Sequence, residues 1–317
     1  MTRGQLIQGI LDRKAQRRET RRLACEQAYR AFLTRHTEVD AARRALARAR
    51  MAMVRHIGSP EAAAAALAAY EKALSAACGQ EGLDAAAFTP KPDCTRCGDT
   101  GYVGDLEKQL CLCVQVEAAL LAKEATGIRP DYCFGRFDLG LYPEGESLPN
   151  GAALRPYMAQ MQQFFLQYAA GFPRVPPILV LTGPTGLGKT FLLHCVANAL
   201  VERGVFCVLT SPYRLNQAVL GADRGQDALL TFSQADLLLI DDIGSEPLLQ
   251  KITAETLFSL VDTRLMASRP LILSTNLTPK ELQERYGDRF YSRVTDRDAA
   301  RVLLFQGPDL RRRRERT

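Results

Sequence analysis

Along the first third of the chain, apolar residues recur at helical spacing. Leu6, Ile7, Ile10 and Leu11 form one such set, and Cys25, Ala28, Tyr29, Phe32 and Leu33 another. At SPEAAAAALAAYEKAL the hydroxyl of Ser59 suits an N-cap and Pro60 the first helical position. The Ala-rich run then predicts a helix to Cys78, with Gly79 as its stop. Large apolar residues are few here, so these helices promise only a thin core and need each other, a partner or an adjacent metal site for stability.

From about residue 155 the pattern changes. A helix, RPYMAQMQQFFLQYAAG, leads into the apolar run ILVLTG and the helix FLLHCVANALVERG. VFCVLTS, DLLLIDD, PLILSTN and RVLLF follow as further apolar runs, separated by helical stretches. Thr278-Pro279-Lys280-Glu281 reads as a capping box that opens the last of these helices. Five continuously apolar strands alternating with helices predict a parallel sheet covered on both faces, an α/β fold. Between the two patterns lies a Gly-, Pro- and Tyr-rich stretch, GIRPDYCFGRFDLGLYPEGESLPN, expected to be a linker that packs its aromatics on a neighbour. The organisation is then a helical region over 1–90, a cysteine segment over 91–123, a linker over 124–150 and an α/β domain over 151–317.

Composition adds bounds. The 317 residues have no tryptophan and no apolar run of the roughly 18 residues that a spanning helix needs. The first residues lack a secretory pattern, and the early Asp12 and Glu19 disfavour a transit peptide, so a cytoplasmic protein with no membrane partner is expected. The net charge of +6 is uneven: residues 1–56 hold fourteen arginines and lysines against five acids, and RRRRERT ends the chain. Such runs fit a solvated face, and equally a surface that meets an acidic protein or nucleic acid.

Chemistry enters at Gly183-Pro184-Thr185-Gly186-Leu187-Gly188-Lys189-Thr190, which matches G-x-x-x-x-G-K-[ST] between an apolar strand and a helix. The glycines allow backbone amides from Thr185 to Thr190 to point at phosphates, at a helix N-terminus that favours negative charge. Lys189 would reach the β- and γ-phosphates, and Thr190 would ligate Mg²⁺. LLLIDDIG delivers Asp241 and Asp242 to a strand end, Asp241 for the hydrated Mg²⁺ and Asp242 to orient or deprotonate water; an Asp-Asp turn is the plainer alternative. Asn276, ending LILSTN, could sense the γ-phosphate or simply form a turn. Arg285, Arg289, Arg293 and Arg297 follow at i, i+4 spacing, along one helix face that is either solvated or offers an arginine to a neighbouring subunit. No guanine-selective N-K-x-D sequence occurs, so ATP is the expected nucleotide.

Four of the nine cysteines crowd into CTRCGDTGYVGDLEKQLCLC. In a reducing compartment, Cys94, Cys97, Cys111 and Cys113 fit a structural Zn²⁺ site with every position filled by thiolate; a redox pair or unligated thiols compete with it. Gly98, Gly101 and Gly104 allow the turns that wrap a chain around an ion. Cys25, Cys78, Cys195 and Cys207 read as packing residues, Cys133 is open, and His36 and His56 read as ordinary helix residues.

GPTGLGKTFLL, LLLIDDIGSE, ILSTNLTPKEL and the SRV before the last strand resemble the AAA+ ATPases of the DnaC/DnaI helicase-loader group, over about residues 125–312. IstB transposition-helper ATPases share most of that pattern. A helical N-terminus followed by C-x-x-C-x-D-T-G-Y is similar to DnaI-like loaders, whose N-terminal region grips the hexameric replicative helicase. The resemblance implies Walker A roles for Lys189 and Thr190, Walker B for Asp241 and Asp242, sensor 1 for Asn276, an arginine finger for Arg293 and sensor 2 for Arg311. It also implies self-association through the AAA+ domain, single-stranded DNA as partner, and a core without a helical lid. Most AAA+ proteins carry Glu where Asp242 stands, so slow hydrolysis is expected. Tyr213, Arg214 and Lys251, between or just after the Walker segments, are the candidate DNA contacts.

Overall fold

The computed structural model describes residues 2–246 and 252–313, with side chains left aside at 222–226, 252, 312 and 313. Lys251 and residues 314–317 of the basic tail lie outside the described residues. The chain divides into two compact units, Leu11–Gln109, and Met1–Ile10 together with Leu110–Thr317.

The first unit is helical. Most of α1 (Arg3–Arg35) belongs to it, followed by α2 (Thr37–Val54) and α3 (Pro60–Glu81). Its core is as thin as the sequence promised: Phe32, Val39, Ala77 and Cys78 are buried, with Tyr29, Leu33, Tyr70 and Phe88 packed around them. The Ser59 hydroxyl accepts from the Ala62 amide at 3.2 Å, capping α3 with Pro60 just inside. The expected stop at Gly79 is wrong by a turn. Gly79 stays helical, and the chain leaves at Gly82 in the left-handed region (φ 65°), where the Leu83 amide reaches back to the Cys78 carbonyl at 2.8 Å. Beyond α3, β1 (Tyr102–Val103) and β2 (Gln109–Leu110) make a short two-stranded ladder.

In the second unit α4 (Leu112–Thr126) and α5 (Leu154–Gly171) precede β3 (Ile178–Thr182), α6 (Lys189–Val201) and β4 (Cys207–Thr210). Two helices, α7 (Pro212–Leu220) and α8 (Ala222–Gln234), lead to β5 (Leu237–Ile243), α9 (Ile252–Met266), β6 (Leu271–Thr275), α10 (Pro279–Val294) and β7 (Ala300–Leu304). The five longer strands form one parallel sheet in the order β4-β5-β6-β3-β7. Its two faces are both covered, which is why the strands read as unbroken apolar runs. Leu179, Leu181, Leu239 and Ile272 enter one core with α5 and α6, while Ile178, Val180, Leu238 and Leu273 enter the other with α9 and α10. Strand β7, at one edge of the sheet, departs from the pattern: Val302 and Leu304 are about half exposed.

The stretch read as a linker joins the core of this unit. Ile128, Tyr142 and Leu148 are buried there, with Phe134, Phe137 and Leu139 packed against the same cluster. Thr278 and Glu281 form the expected capping box at the start of α10. The arginine face of that helix does not form as expected. Gly287 (φ 83°, ψ 165°) interrupts it between Arg285 and Arg289, and it ends at Val294, before Arg297.

Candidate nucleotide-binding site

The P-loop leaves the C-terminal end of β3 and enters α6. Glycine is required there for two reasons. Gly183 (φ 134°), Gly186 (φ 81°) and Gly188 (φ 91°) lie where L side chains are strained. A Cβ on Gly183 would also lie 2.0 Å from the Phe305 carbonyl oxygen, and one on Gly186 would lie 1.7 Å from Asp309 Oδ1. The loop is thus braced by the segment after β7: the Phe305 amide donates to the Thr182 carbonyl at 2.7 Å and the Leu310 amide to Gly186 at 3.2 Å.

Strand β5 supplies the carboxylates through a bulge. Ile240 pairs with Leu273 and Ile243 with Thr275, so Asp241 and Asp242 together oppose the single residue Ser274. Asp242 takes a left-handed backbone (φ 60°), one that Asp tolerates better than most residues. The Ser274 hydroxyl accepts from the Asp242 amide at 2.8 Å and donates to Asp241, which fixes the bulge. Thr190 Oγ1 donates to Asp241 Oδ1 at 3.2 Å, and Asn276 Nδ2 to Asp242 Oδ1 at 2.6 Å. Lys189 is 7 % exposed, and its ammonium donates to the Gly183 and Pro184 carbonyls (2.6 and 2.7 Å) and to Asn276 Oδ1 (2.8 Å). Burial pulls Lys189 down to about 8; Asp242 and Asp241 oppose the shift, and Arg311 adds to it.

These groups line a cavity of about 490 Å³. Thr185, Gly186, Leu187, Gly188, Lys189, Thr190, Asp241, Asp242, Asn276 and Arg311 all face it, while Gly183 and Pro184 sit behind the lysine. Arg293 does not. It projects from α10 half exposed and pairs with Asp262 at 2.9 Å. Arg289 lies over the Phe258 ring, and Arg285 bonds the Glu246 carbonyl. Of the two described DNA-contact candidates, Tyr213 is exposed, and Arg214 donates to the Thr126 carbonyl at 3.2 Å.

Sequence reasoning missed the opposite wall. Tyr132, Arg136, Phe137, Asp138, Leu141 and Tyr142, all from the supposed linker, face the cavity with Phe191, Ser274 and Leu310. Tyr132 packs on Phe191 (centroids 4.8 Å) and Phe137 on Tyr142 (5.8 Å). The Tyr142 hydroxyl donates to the Leu187 carbonyl at 3.1 Å, tying this wall to the P-loop. The crowding of aromatics in GIRPDYCFGRFDLGLY was the available signal. The cavity therefore combines phosphate-favouring amides, a lysine and paired carboxylates with a wall rich in aromatic side chains.

Cys94 and Cys97 belong to the first unit, and Cys111 and Cys113 stand at the start of α4 in the second. Thiolates are the donors that a structural zinc takes, at about 2.3 Å each, so the chemistry of these residues fits zinc. Left-handed backbone at Gly98, Asp99, Gly101 and Gly104 lets the segment turn. Asp99, 2 % exposed, holds the first knuckle by accepting from the amides of Asp93 (2.8 Å) and Cys94 (3.0 Å) and from Arg21 (2.7 Å).

Residues 171–316 match the family model described as IstB-like ATP binding protein. That stretch, somewhat under half of the chain, is similar to IstB-like ATP-binding proteins. The match starts at Gly171, so the aromatic wall over Tyr132–Tyr142 lies upstream of it. Among curated proteins it is 26 % identical over 111 residues to the replicative helicase loader DnaI of Bacillus subtilis, covering 34 % of this chain and 36 % of DnaI. It is 28 % identical over 181 residues to the chromosomal replication initiator protein DnaA of Roseiflexus castenholzii, covering 53 % of this chain and 34 % of DnaA. The chain thus spans about a third of the length of these relatives. A crystal structure of DnaI aligns with a TM-score of 0.44 and 19 % identity over 58 % of this chain and 92 % of that one. The resemblance to DnaC/DnaI-like AAA+ loaders and the five-stranded parallel P-loop fold both stand. Among the described residues no helix is long and apolar enough to cross a membrane.

Proposed function

We propose that this protein is an ATPase that loads a hexameric replicative DNA helicase onto single-stranded DNA, with ATP hydrolysis as the release step. One observation carries the reading: Thr190 and Asp241 meet at 3.2 Å beside Lys189, while Asn276 bonds both Lys189 and Asp242. That arrangement supports a triphosphate held by the amides of residues 185–190 and by Lys189, with Thr190 and Asp241 as the magnesium ligands. Magnesium, when bound, supplies charge neutralisation on the phosphate oxygens. Asp242 orients or deprotonates the attacking water, and Asn276 contacts the γ-phosphate end. Arg293, half exposed and away from its own cavity, serves a neighbouring copy in a self-associated form. Arg311, on the cavity wall, acts on nucleotide in its own subunit. The four cysteines hold a structural zinc that stabilises the segment between the N-terminal helices, which dock on the helicase, and the ATPase domain. The protein works in the cytoplasm.

The IstB-like description of the matched domain favours a second reading, a transposition helper that remodels DNA for a transposase. Two measurements separate the readings. Phosphate release stimulated by single-stranded DNA should be lost in Lys189→Ala, and equal release from both proteins removes the enzyme claim. Capture of the host's replicative helicase should depend on ATP. Capture that ignores ATP, or no capture, moves the assignment to the transposition helper.

A further inference from the structure

Helix α6 is almost wholly apolar after the P-loop, except that His194 and Asn198 lie one turn apart on one face. Both are buried, at 5 % and 6 % exposure, and neither lines the cavity. Buried polar side chains are costly unless paired, so their partners matter. Both bond the segment Arg129–Tyr132 of the supposed linker, and Arg129 is their shared partner. The Arg129 amide donates to His194 Nδ1 at 3.0 Å, and Asn198 Nδ2 donates to the carbonyls of Arg129 (2.8 Å) and Tyr132 (2.7 Å). An Nδ1 that accepts leaves the ring proton on Nε2. The Tyr132 ring meets the His194 ring edge-on at 5.2 Å, packs on Phe191 and carries the Arg129 guanidinium over its face at 4.3 Å.

We propose that His194 and Asn198 are positioning residues: together they clasp the backbone of Arg129–Tyr132 and hold the Tyr132 ring as the base-facing wall of the nucleotide cavity. The inference rests on the nucleotide reading of that cavity and assigns these residues to recognition of the base, not of the phosphates. The phosphate end is built by the P-loop backbone, Lys189 and the β5 carboxylates, none of which bonds the clasp. The base end depends on four residues that have no strand or helix of their own to fix them.

The test compares two magnesium-bound ligands, ATP and inorganic tripolyphosphate, by calorimetry or competition at one pH. Asn198→Ala and His194→Leu should weaken ATP about tenfold, the scale of one lost base–aromatic contact, and leave tripolyphosphate unchanged. His194→Asn places an amide oxygen near the Nδ1 position and should restore ATP affinity to within about twofold of wild type. Equal weakening of both ligands would mean general loosening of α6, and unchanged ATP affinity would mean no clasp; either result overturns the proposal. Should the α6 variants not fold, Tyr132→Ala alters only the wall and must give the same split between the ligands; ATP binding as tight as wild type overturns it there too. A wild-type protein that binds neither ligand instead removes the nucleotide reading itself.

Discussion

Nucleotide binding should draw a proton onto Lys189 in alkaline solution. The ammonium is buried against two carbonyls and an amide, and burial brings it to about 8 despite Asp242 and Asp241 nearby. A bound triphosphate places several negative charges against it and favours the charged form, raising its pKa again. The sign follows. Well below pH 8 the lysine is already charged and affinity is full; as pH rises through 8, binding must pay for protonation and weakens. With a pKa of about 8, roughly three-quarters of the lysine is neutral at pH 8.5, so binding takes up about 0.8 proton and the Kd rises about fourfold. At pH 9 the rise is about tenfold. The phosphates of free ATP no longer titrate at these values, so they add nothing. Calorimetric titration at pH 8.5 in buffers of different ionisation heat reads the uptake directly. Lys189→Arg, always charged, should show none. Heats independent of the buffer in the wild type would refute the reasoning.

Cys97→Ser should reduce zinc from one ion per chain to well under half by elemental analysis and lower the thermal midpoint of the N-terminal unit. A chain purified with no zinc in the wild type would contradict the four-thiolate site. Arg293→Ala removes only a surface pair with Asp262, so it should cost under about 1 kcal/mol of stability and leave ATP affinity unchanged. Its hydrolysis rate should nonetheless fall about a thousandfold if the guanidinium serves a neighbouring copy, and normal turnover would remove it from that role.

The sheet was legible because four of its strands are buried on both faces: strands covered on two sides must be apolar throughout, and the chain spells this out at β3, β4, β5 and β6. The P-loop was legible because its backbone excludes side chains, which forces glycine at fixed spacing. The end of α3 was not. Glycine can sit inside a helix at modest cost, and only the chain's exit at Gly82, with the Leu83–Cys78 bond, shows which of Gly79 and Gly82 acts as the stop. The arginine series failed for a related reason. Spacing of four assumes an unbroken helix, and Gly287 breaks this one. The aromatic wall was missed because Tyr132 to Tyr142 follow neither helical nor strand periodicity. Their positions are set by contacts distant in sequence, to His194, Asn198 and Leu187.

Asn276 links the two halves of the chemistry. Its amide oxygen accepts from Lys189 and its nitrogen donates to Asp242, so one planar group reports to the phosphate grip and to the residue assigned to the water. The Lys189 ammonium has three hydrogens, and the Gly183 and Pro184 carbonyls and Asn276 take all three. A γ-phosphate oxygen can bond this lysine only by displacing one of those acceptors. Displacing Asn276 turns its amide away from Lys189 and changes the hydrogen bond that restrains Asp242. On the proposed ATPase reading, binding and preparation for hydrolysis would be one movement. The bulge makes this geometry available: without the extra residue opposite Ser274, strand alternation would send Asp241 and Asp242 to opposite faces of the sheet.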